Sequence, residues 1–207
     1  MTQKPRKRSA STQEKRRTIL NAAVRVFSQK GFHRCRISDI ATEAGVAYGL
    51  VYHYFENKEE ILNSIFDENW GLLAKVIETV DEQTESLEEK LRSVVNFILD
   101  AYRLVPDVIQ VMVMEIARSS KFLKKPKIEA FEQVFQQLTQ ILAHHQKQGD
   151  VRDDLDPKLM AYMIFGSLEL ILTGYLLGTV EPAADEAYDH NKHTITRIFL
   201  DGIRKPA

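Results

Sequence analysis

Apolar residues recur at helical spacing along almost the whole chain, and this pattern constrains the fold more than any other feature. An early segment shows it clearly, because Ile19, Ala22, Ala23, Val26 and Phe27 share one helix face. No segment shows the sustained alternation of apolar and polar residues that predicts a strand. The pattern therefore predicts an all-α protein of about nine helices, and a composition that is 44% hydrophobic supplies the side chains for a core.

Capping and stop residues indicate where these helices begin and end, since a polar cap favours a helix start and Gly a helix end. The signals are Ser11 with Glu14, then Gly31, around the first helix, Gly45 after the second, Asn57 before the fourth, Ser86 with Glu89 before the fifth, and Asp156 with Pro157 before the eighth. We expect the third helix over 47–54, the sixth over 107–119, the seventh after Pro126 and the ninth over 187–202.

The charges are divided unevenly along a chain whose formal net charge is −1. Residues 1–60 carry 12 Lys and Arg against 6 Asp and Glu, whereas residues 61–207 carry 16 against 23. A basic head on an acidic body favours a head that binds a polyanion and a body with another task. The alternative is a basic tail that is only solvated, and charge alone does not separate the two.

One apolar run, residues 159–180, raises the question of a membrane span, since about 20 apolar residues cross a bilayer. Glu169 lies near the middle of this run, where a charge is costly in lipid, so we prefer a buried helix of a soluble protein. The N-terminus lacks the apolar region of a secretory signal, and a single cysteine, Cys35, fits a reducing compartment. We therefore expect a cytoplasmic protein without a membrane partner, with a membrane-associated helical protein as the alternative.

Four aromatic rings and a histidine are crowded into the eight residues YGLVYHYF, 48–55. The segment follows Gly45 closely, and so short a turn makes two helices cross steeply, as in a helix-turn-helix. A helix in the major groove needs side chains that hydrogen bond to phosphates and base edges, and Tyr and His provide such groups. The segment therefore predicts a DNA-contacting helix.

Residues 31–62, GFHRCRISDIATEAGVAYGLVYHYFENKEEIL, resemble the DNA-binding domain of the TetR family of bacterial repressors. The matching positions are Gly31-Phe32, Ile40-Ala41, Ala44-Gly45-Val46, Gly49, Tyr52-His53-Tyr54-Phe55 and Lys58. The resemblance implies a disordered basic tail at 1–11, a helix-turn-helix DNA-binding domain at 12–57, and a helical ligand-binding and dimerisation domain at 58–207.

The resemblance also implies which residues contact a double-stranded DNA operator. The candidates are Arg36, Ala47, Tyr48, Gly49, Leu50, Tyr52, His53 and Lys58. We expect Tyr48 to read a base, Tyr52 and His53 to contact phosphates, and Lys58 to clamp a phosphate at the start of the fourth helix. Leu50 either contacts a thymine methyl group or packs against the protein, and Tyr54 and Phe55 are expected in the core.

The chain departs from the family pattern where a Thr or Ser usually caps the second helix, because Cys35 and Arg36 stand there. We expect Arg36 to reach a phosphate instead. Ala47, Tyr48 and Leu50 also replace the family's usual residues, which implies a different operator sequence.

The basic tail is a further candidate for DNA contact. Lys4, Arg6, Lys7 and Arg8 either enter an adjacent minor groove or remain solvated. The sequence leaves both alternatives open.

The C-terminal helices are candidates for a homodimer interface. The helix over 157–178 is apolar on more than one face and needs neighbours on every side, and its small residues Gly166, Ser167, Gly174 and Gly178 allow a partner helix to approach closely. The last helix adds Ile195, Ile198, Phe199 and Ile203. We expect the two helices of each chain to form a four-helix interface, with a purely intrachain core as the alternative.

The resemblance implies a small apolar or amphipathic effector. Residues that are candidates to line its cavity are Trp70, Phe97, Tyr102, Met112, Met114, Phe131 and Phe135, although aromatic residues at helical spacing are ordinarily core. The segments GFHRCRISDIA and IFGSLE resemble a TetR subgroup, the repressors of fatty-acid degradation that respond to long-chain acyl-CoA. The methionines of the body, Met112 and Met114 among them, suit a flexible acyl chain.

Enzymatic activity is not expected, because no nucleophile elbow, phosphate-binding loop, dinucleotide motif or HExxH motif occurs. His144 with His145, and His190 with His193, are spaced as metal ligands can be, but surface histidines are the preferred interpretation. We expect no metal and no cofactor. A helical small-molecule or metal-binding protein that does not bind DNA is the alternative function.

Overall fold

The computed structural model describes residues 10–116, 129–182 and 184–205, and within these ranges the chain forms nine helices. Their bounds are α1 Ala10–Lys30, α2 Ile37–Ala44, α3 Tyr48–Tyr54, α4 Lys58–Gln83, α5 Leu87–Leu104, α6 Pro106–Ile116, α7 Glu129–Gln148, α8 Pro157–Leu177 and α9 Asp185–Ile203. In the described ranges the only extended pairing is an isolated bridge between Val151 and Arg204. The all-α prediction is confirmed.

Two predicted helix starts are confirmed by their capping bonds. The Asn57 side-chain oxygen accepts the Glu60 N–H at 2.8 Å, and the Asp156 carboxylate accepts the Lys158 N–H at 2.7 Å. Pro157 occupies the first position of α8, where its missing N–H has no helical partner to lose.

Two other predicted caps are wrong in detail. The first helix begins at Ala10, so Ser11 lies inside α1 rather than capping it. Ser86 does cap α5, accepting the Glu89 N–H at 3.4 Å, but the capping box does not close. Thr84 intervenes: its hydroxyl donates to the Glu89 carboxylate and accepts the Ser86 N–H.

The first compact unit ends at Phe66 and contains α1 to α3 with the first turns of α4. α2 packs on α1 and α3 packs on α2. Ile19 and Ile40 are fully buried, and truncating a side chain of this kind to Ala costs about 2–5 kcal/mol. The predicted domain boundary at residue 57 lies before the structural one, which falls inside α4.

The second compact unit, Asp67–Ala207, packs α7 along α8, α5 along α9, and both α5 and α6 against α8. Its core includes Leu91, Leu99, Leu142 and Leu168. The ninth helix begins at Asp185, slightly earlier than predicted. The predicted end of the sixth helix at 119 and the predicted start of the seventh after Pro126 lie outside the described residues.

One of the small residues of α8 serves the chain's own packing. A Cβ at Gly174 would lie 2.8 Å from Cγ2 of Val180, in the turn that follows the helix. A Cβ at Gly166 would meet nothing within 4 Å. The prediction that Gly174 admits a partner helix is therefore wrong, because its close neighbour is the returning chain.

Candidate DNA interface and ligand cavity

The bend between α2 and α3 depends on one glycine. Gly45 ends α2 with φ 65°, a left-handed conformation that side chains with a Cβ disfavour. Its N–H donates to Thr42 O at 3.1 Å, and the next N–H, of Val46, donates to Ala41 O at 3.0 Å. These bonds satisfy the last carbonyls of α2 and turn the chain within three residues, so that α3 starts at Tyr48.

One side of α3 is anchored in the first unit. Val51 and Phe55, four residues apart, are buried, and the Arg16 guanidinium lies 5.3 Å from the centre of the Phe55 ring. Leu50 and Tyr54 are half-buried. Because residues four apart share a helix face, the remaining positions of this short helix are left exposed.

The exposed side of α3 presents two tyrosines as a pair. Tyr48 is 53% and Tyr52 46% exposed, their hydroxyl oxygens lie 3.1 Å apart, and their rings meet edge to face at 5.2 Å. The hydrogen bond with Tyr48 raises the pKa of the Tyr52 phenol. The pair therefore offers neutral hydrogen-bonding groups side by side, which base edges and phosphates both accept.

The other predicted contact residues of this helix lie around the tyrosine pair. Ala47 and His53 are exposed, and the His53 ring meets Tyr54 edge-on at 5.2 Å. Gly49 is exposed, and a Cβ there would meet nothing within 4 Å, so the space beside it is open to a ligand. Leu50 is half-buried, and both of its predicted roles, a contact with a thymine methyl group and packing against the protein, stay predictions.

Arg36 stands at the N-terminus of α2 with its side chain exposed. Its backbone N–H donates to the Asp39 carboxylate at 2.8 Å, and Lys30 donates to the same carboxylate at 2.9 Å. These bonds hold the pKa of Asp39 below its usual value. Asp39 thus supplies the cap that Cys35 and Arg36 lack, and the Arg36 guanidinium is left at the surface beside a helix N-terminus.

Lys58 has a different role from the predicted phosphate clamp. Its ammonium donates to the carbonyls of Phe32 at 2.5 Å, Cys35 at 2.9 Å and His33 at 3.4 Å, and it lies 4.4 Å from the centre of the Phe32 ring. An ammonium has three hydrogens to donate, and three carbonyl oxygens take them. Lys58 therefore fastens the start of α4 to the turn that joins α1 and α2.

A cavity of about 440 Å³ lies in the second unit, between α4, α5, α6 and α8. Its volume falls within the range of about 300–1,000 Å³ that small-molecule sites occupy. The residues that line it are Asn69, Trp70, Leu72, Leu73, Phe97, Ile98, Asp100, Ala101, Leu104, Val105, Val108, Ile109, Met112, Val113, Phe165, Glu169 and Leu172. Almost all are apolar, so the cavity suits a hydrocarbon ligand.

The structure places three of the predicted ligand residues, Trp70, Phe97 and Met112, in the cavity wall. Four others do not line it. Phe131 and Phe135 pack against Trp70, with ring centres 4.8 and 6.5 Å away. Tyr102 instead stacks near the ring of Tyr175 and donates to its carbonyl at 3.5 Å, and Met114 is half-buried elsewhere on α6.

The sequence analysis missed the contribution of α8 to this wall. Phe165, Glu169 and Leu172 follow one another at spacings of four and three, which puts them on one helix face. Among them Glu169 is half-buried, and burial raises the pKa of its carboxyl. The helical spacing of these three residues is visible in the sequence, but the apolar run around Glu169 is also compatible with a membrane span, and the run by itself does not show which face of the helix meets a cavity.

The side of α8 that faces away from its buried residues carries several exposed apolar residues. These are Leu159, Tyr162, Met163, Leu170 and Leu177, with Ile198 exposed on α9. Several exposed apolar residues on one helix side make this side a candidate interaction site. Ile203, in contrast, is buried within the chain itself, so its predicted place in an interface between chains is wrong.

By length and composition α8 is the one described helix that is apolar enough to cross a membrane, and buried helices of soluble proteins pass the same test. Less than half of the helix is buried within the chain. The exposed apolar part of the helix is explained equally by contact with a partner chain and by contact with lipid.

Among the described residues, no group of three or more His, Cys, Asp and Glu is arranged to hold a metal ion. His144, His190 and His193 are exposed. His145 is not the surface residue that we expected, because it is buried with its Nδ1 2.9 Å from the Asp150 carboxylate.

A helix-turn-helix with an exposed polar aromatic face, together with a helical unit that has an apolar cavity, is typical of a DNA-binding regulator that also binds a small molecule. The comparison with known families agrees. The model for bacterial regulatory proteins of the tetR family matches residues 19–65, and the model for the C-terminal region of YsiA-like proteins matches residues 66–189. The chain belongs to the TetR family, and it is a regulator of transcription rather than an enzyme.

Two individual regulators are similar to this chain over most of its length. The fatty acid metabolism regulator protein of Bacillus subtilis (strain 168) is 30% identical over 187 residues, which span 89% of this chain and 93% of that protein. The regulator RutR of Escherichia coli (strain K12) is 24% identical, over 96% of this chain and 94% of its own.

Two solved structures have similar folds over most of the chain. FadR from Bacillus subtilis in complex with stearoyl-CoA has a TM-score of 0.81 and 27% identity, covering 91% of this chain and 99% of that one. The fatty acid degradation regulator FadR from Bacillus halodurans has a TM-score of 0.82 and 27% identity, covering 99% and 100%.

Proposed function

We propose that this regulator binds its operator as a homodimer and releases it when a long-chain acyl-CoA fills the cavity between α4, α5, α6 and α8. The observation that carries the proposal is the apolar wall of this cavity of about 440 Å³. The likeness to a FadR that was crystallised with stearoyl-CoA supports the choice of ligand.

An acyl chain gains affinity from a wall of this kind by the hydrophobic effect. Each methylene group removed from water contributes about 0.8 kcal/mol, which is a factor of about four in the dissociation constant. Met112 adapts to a flexible chain, since its unbranched side chain fills irregular gaps. Affinity should therefore rise steeply with chain length until the cavity is full.

DNA binding is assigned to the exposed side of α3. We propose Tyr48 as a base contact and Tyr52 and His53 as phosphate contacts, with Arg36 reaching a phosphate from the start of α2. The two-fold axis of a dimer built on the apolar side of α8, with α9, would present two copies of α3 to a palindromic operator. The tail residues 4–8 lie outside the described residues, and their role in the minor groove stays a prediction.

Ligand and DNA act on one another through linkage. If acyl-CoA binds the DNA-free dimer more tightly than the DNA-bound dimer, it weakens DNA binding, and DNA weakens acyl-CoA binding by the same factor.

Operator DNA lies in the bacterial cytoplasm, and we assign the protein to that compartment, without a membrane partner. Recovery of the protein in the soluble fraction without detergent is the expected result.

The experiment uses Trp70, the only tryptophan of the chain and a wall residue of the cavity. Its fluorescence is titrated with CoA esters from butanoyl to octadecanoyl, with free CoA as the control. In parallel, a duplex selected from a random pool reports DNA binding by fluorescence anisotropy. We expect long esters to change Trp70 emission and to release the duplex, and an absence of both effects at every length would remove the proposal.

A further inference from the structure

Glu169 is a cavity residue whose presence packing does not explain. Three polar residues, Asn69, Asp100 and Glu169, stand among the apolar residues of the wall. The Asp100 carboxylate is neutralised by Lys192, whose ammonium donates to it at 2.7 Å. The Glu169 carboxyl forms no hydrogen bond or ion pair with any residue that the structure describes.

The surroundings of Glu169 make a charged carboxyl unfavourable for the stability of the folded protein. Its neighbours on the same face of α8, Phe165 and Leu172, are apolar, and so is Trp70 across the cavity wall. An unpaired charge next to apolar groups costs free energy that an apolar residue of similar size would not. The pKa of Glu169 is raised by burial, in agreement with such a cost. A residue that opposes stability in a ligand cavity is explained when it acts on the ligand.

We propose that Glu169 determines the specificity of the cavity, by admitting ligands that present an uncharged group to it, such as an acyl thioester, and by rejecting free fatty acids. This inference rests on the proposed function, since it concerns the ligand of the same cavity. A fatty acid would bring a second carboxylate into an apolar space beside the first, and two carboxylates in one site cannot both stay charged without a large penalty.

The mechanism is selection by an unfavourable contact. A thioester carbonyl accepts a hydrogen bond from the protonated form of Glu169 and carries no charge that the ionised form would repel. The free acid and the thioester share the same hydrocarbon chain, so the apolar wall alone does not separate them. A binding site can discriminate between such ligands by placing a group that repels only one of them, here the free acid.

The test compares three ligands with the same chain, hexadecanoyl-CoA, hexadecanoate and hexadecan-1-ol, by Trp70 fluorescence at one neutral pH. The proteins are the wild type, Glu169→Gln, and Glu78→Gln as the control, because Glu78 lies exposed on α4 away from the cavity wall. Glu169→Gln should raise the affinity for hexadecanoate by at least roughly tenfold, the effect of removing a like charge worth about one pKa unit. The thioester and the alcohol should change by less than about threefold, which is under 0.7 kcal/mol.

Two results would overturn the inference. The first is an unchanged ratio of acid to alcohol affinity in Glu169→Gln, which includes an equal gain for all three ligands, and the second is hexadecanoate that stays unbound by the variant. Glu169→Met, which is similar in size and uncharged, gives the same readout if the Gln variant does not fold. Failure of hexadecanoyl-CoA to bind the wild type would instead contradict the proposed function, so the two failures are distinguishable.

Discussion

The hydroxyl oxygens of Tyr48 and Tyr52 lie 3.1 Å apart, so the two exposed rings of α3 form one hydrogen-bonded unit. The sequence predicted separate tasks for them, a base contact for one and a phosphate contact for the other. In the structure each hydroxyl orients its neighbour. The orientation of the Tyr48 hydroxyl, the proposed base contact, therefore depends on the residue four positions further along the helix.

This pairing predicts that the contributions of the two hydroxyls to the free energy of DNA binding are not additive. Tyr48→Phe and Tyr52→Phe each remove one hydroxyl and keep the ring, and the double variant removes both. We expect a coupling energy of about 0.5–1.5 kcal/mol, typical of one hydrogen bond between neighbours, measured by anisotropy on the selected duplex. Additive losses of DNA-binding free energy would show that the two hydroxyls act independently.

A separate prediction concerns the whole Tyr48 side chain. Tyr48→Ala should relax operator preference by about 1–3 kcal/mol.

The salt dependence of DNA binding distinguishes Lys58 from Arg36. Because three backbone carbonyls hold the Lys58 ammonium, Lys58→Met should lower the free energy of unfolding by about 1–3 kcal/mol. It should leave the slope of log affinity against log salt unchanged. Arg36→Gln should reduce that slope by about 0.9, the effect of one lost phosphate contact, without loss of stability. A reduced slope for Lys58→Met would restore the phosphate role.

The stability of the protein should depend on pH through Glu169. Its pKa is raised in the folded protein above the usual value of 4.5, so the folded state holds the proton more tightly than the unfolded chain. The resulting stabilisation is present below the unfolded pKa and is lost as pH rises through the folded pKa. Glu169→Gln should therefore melt at a higher temperature than the wild type at neutral pH. The difference should vanish below about pH 4, where the wild-type carboxyl is protonated as well.

The exposed side of α8 should control assembly. Leu170 is 71% exposed on this helix, and Leu170→Asp would place a charge in the proposed interface, where it loses its water without gaining a partner. Sedimentation should show monomers at concentrations where the wild type is dimeric, with a parallel loss of operator affinity. Gln133→Asp, a charge added at an exposed site of α7, should leave the dimer intact, and dimers of both variants would place the interface elsewhere.

A glycine pair tests how α8 ends. Gly174→Ala would force a methyl group to within 2.8 Å of Val180 and should cost about 1–3 kcal/mol of stability. Gly71→Ala, in α4, has nothing within 4 Å of the added carbon and should stabilise by about 0.5–1 kcal/mol, since Ala favours a helix more than Gly. Chemical denaturation measures both, and a stable Gly174→Ala would show that the turn at Val180 yields easily.

The helices themselves could be predicted, because their signals are local. Asn57 and Asp156 cap α4 and α8 as expected, and a cap acts over three residues that are adjacent in sequence. The cap of α5 was only half right, since Thr84 competes for the Glu89 carboxylate. Such competition between neighbouring side chains is decided by geometry that the residue types alone do not specify.

By itself the sequence determined the all-α class, the steep bend at Gly45 and the exposed tyrosines of α3, since periodicity and φ preference are properties of short segments. Only the tertiary structure decided that Lys58 binds carbonyls from the turn after α1, that Phe135 stands behind Trp70 while Phe165 enters the cavity wall, and that the Glu169 carboxyl has no partner among the residues that the structure describes. The physical reason is that these contacts join residues far apart in the chain. Their distances depend on how whole helices pack, and the spacing within one helix does not encode that packing.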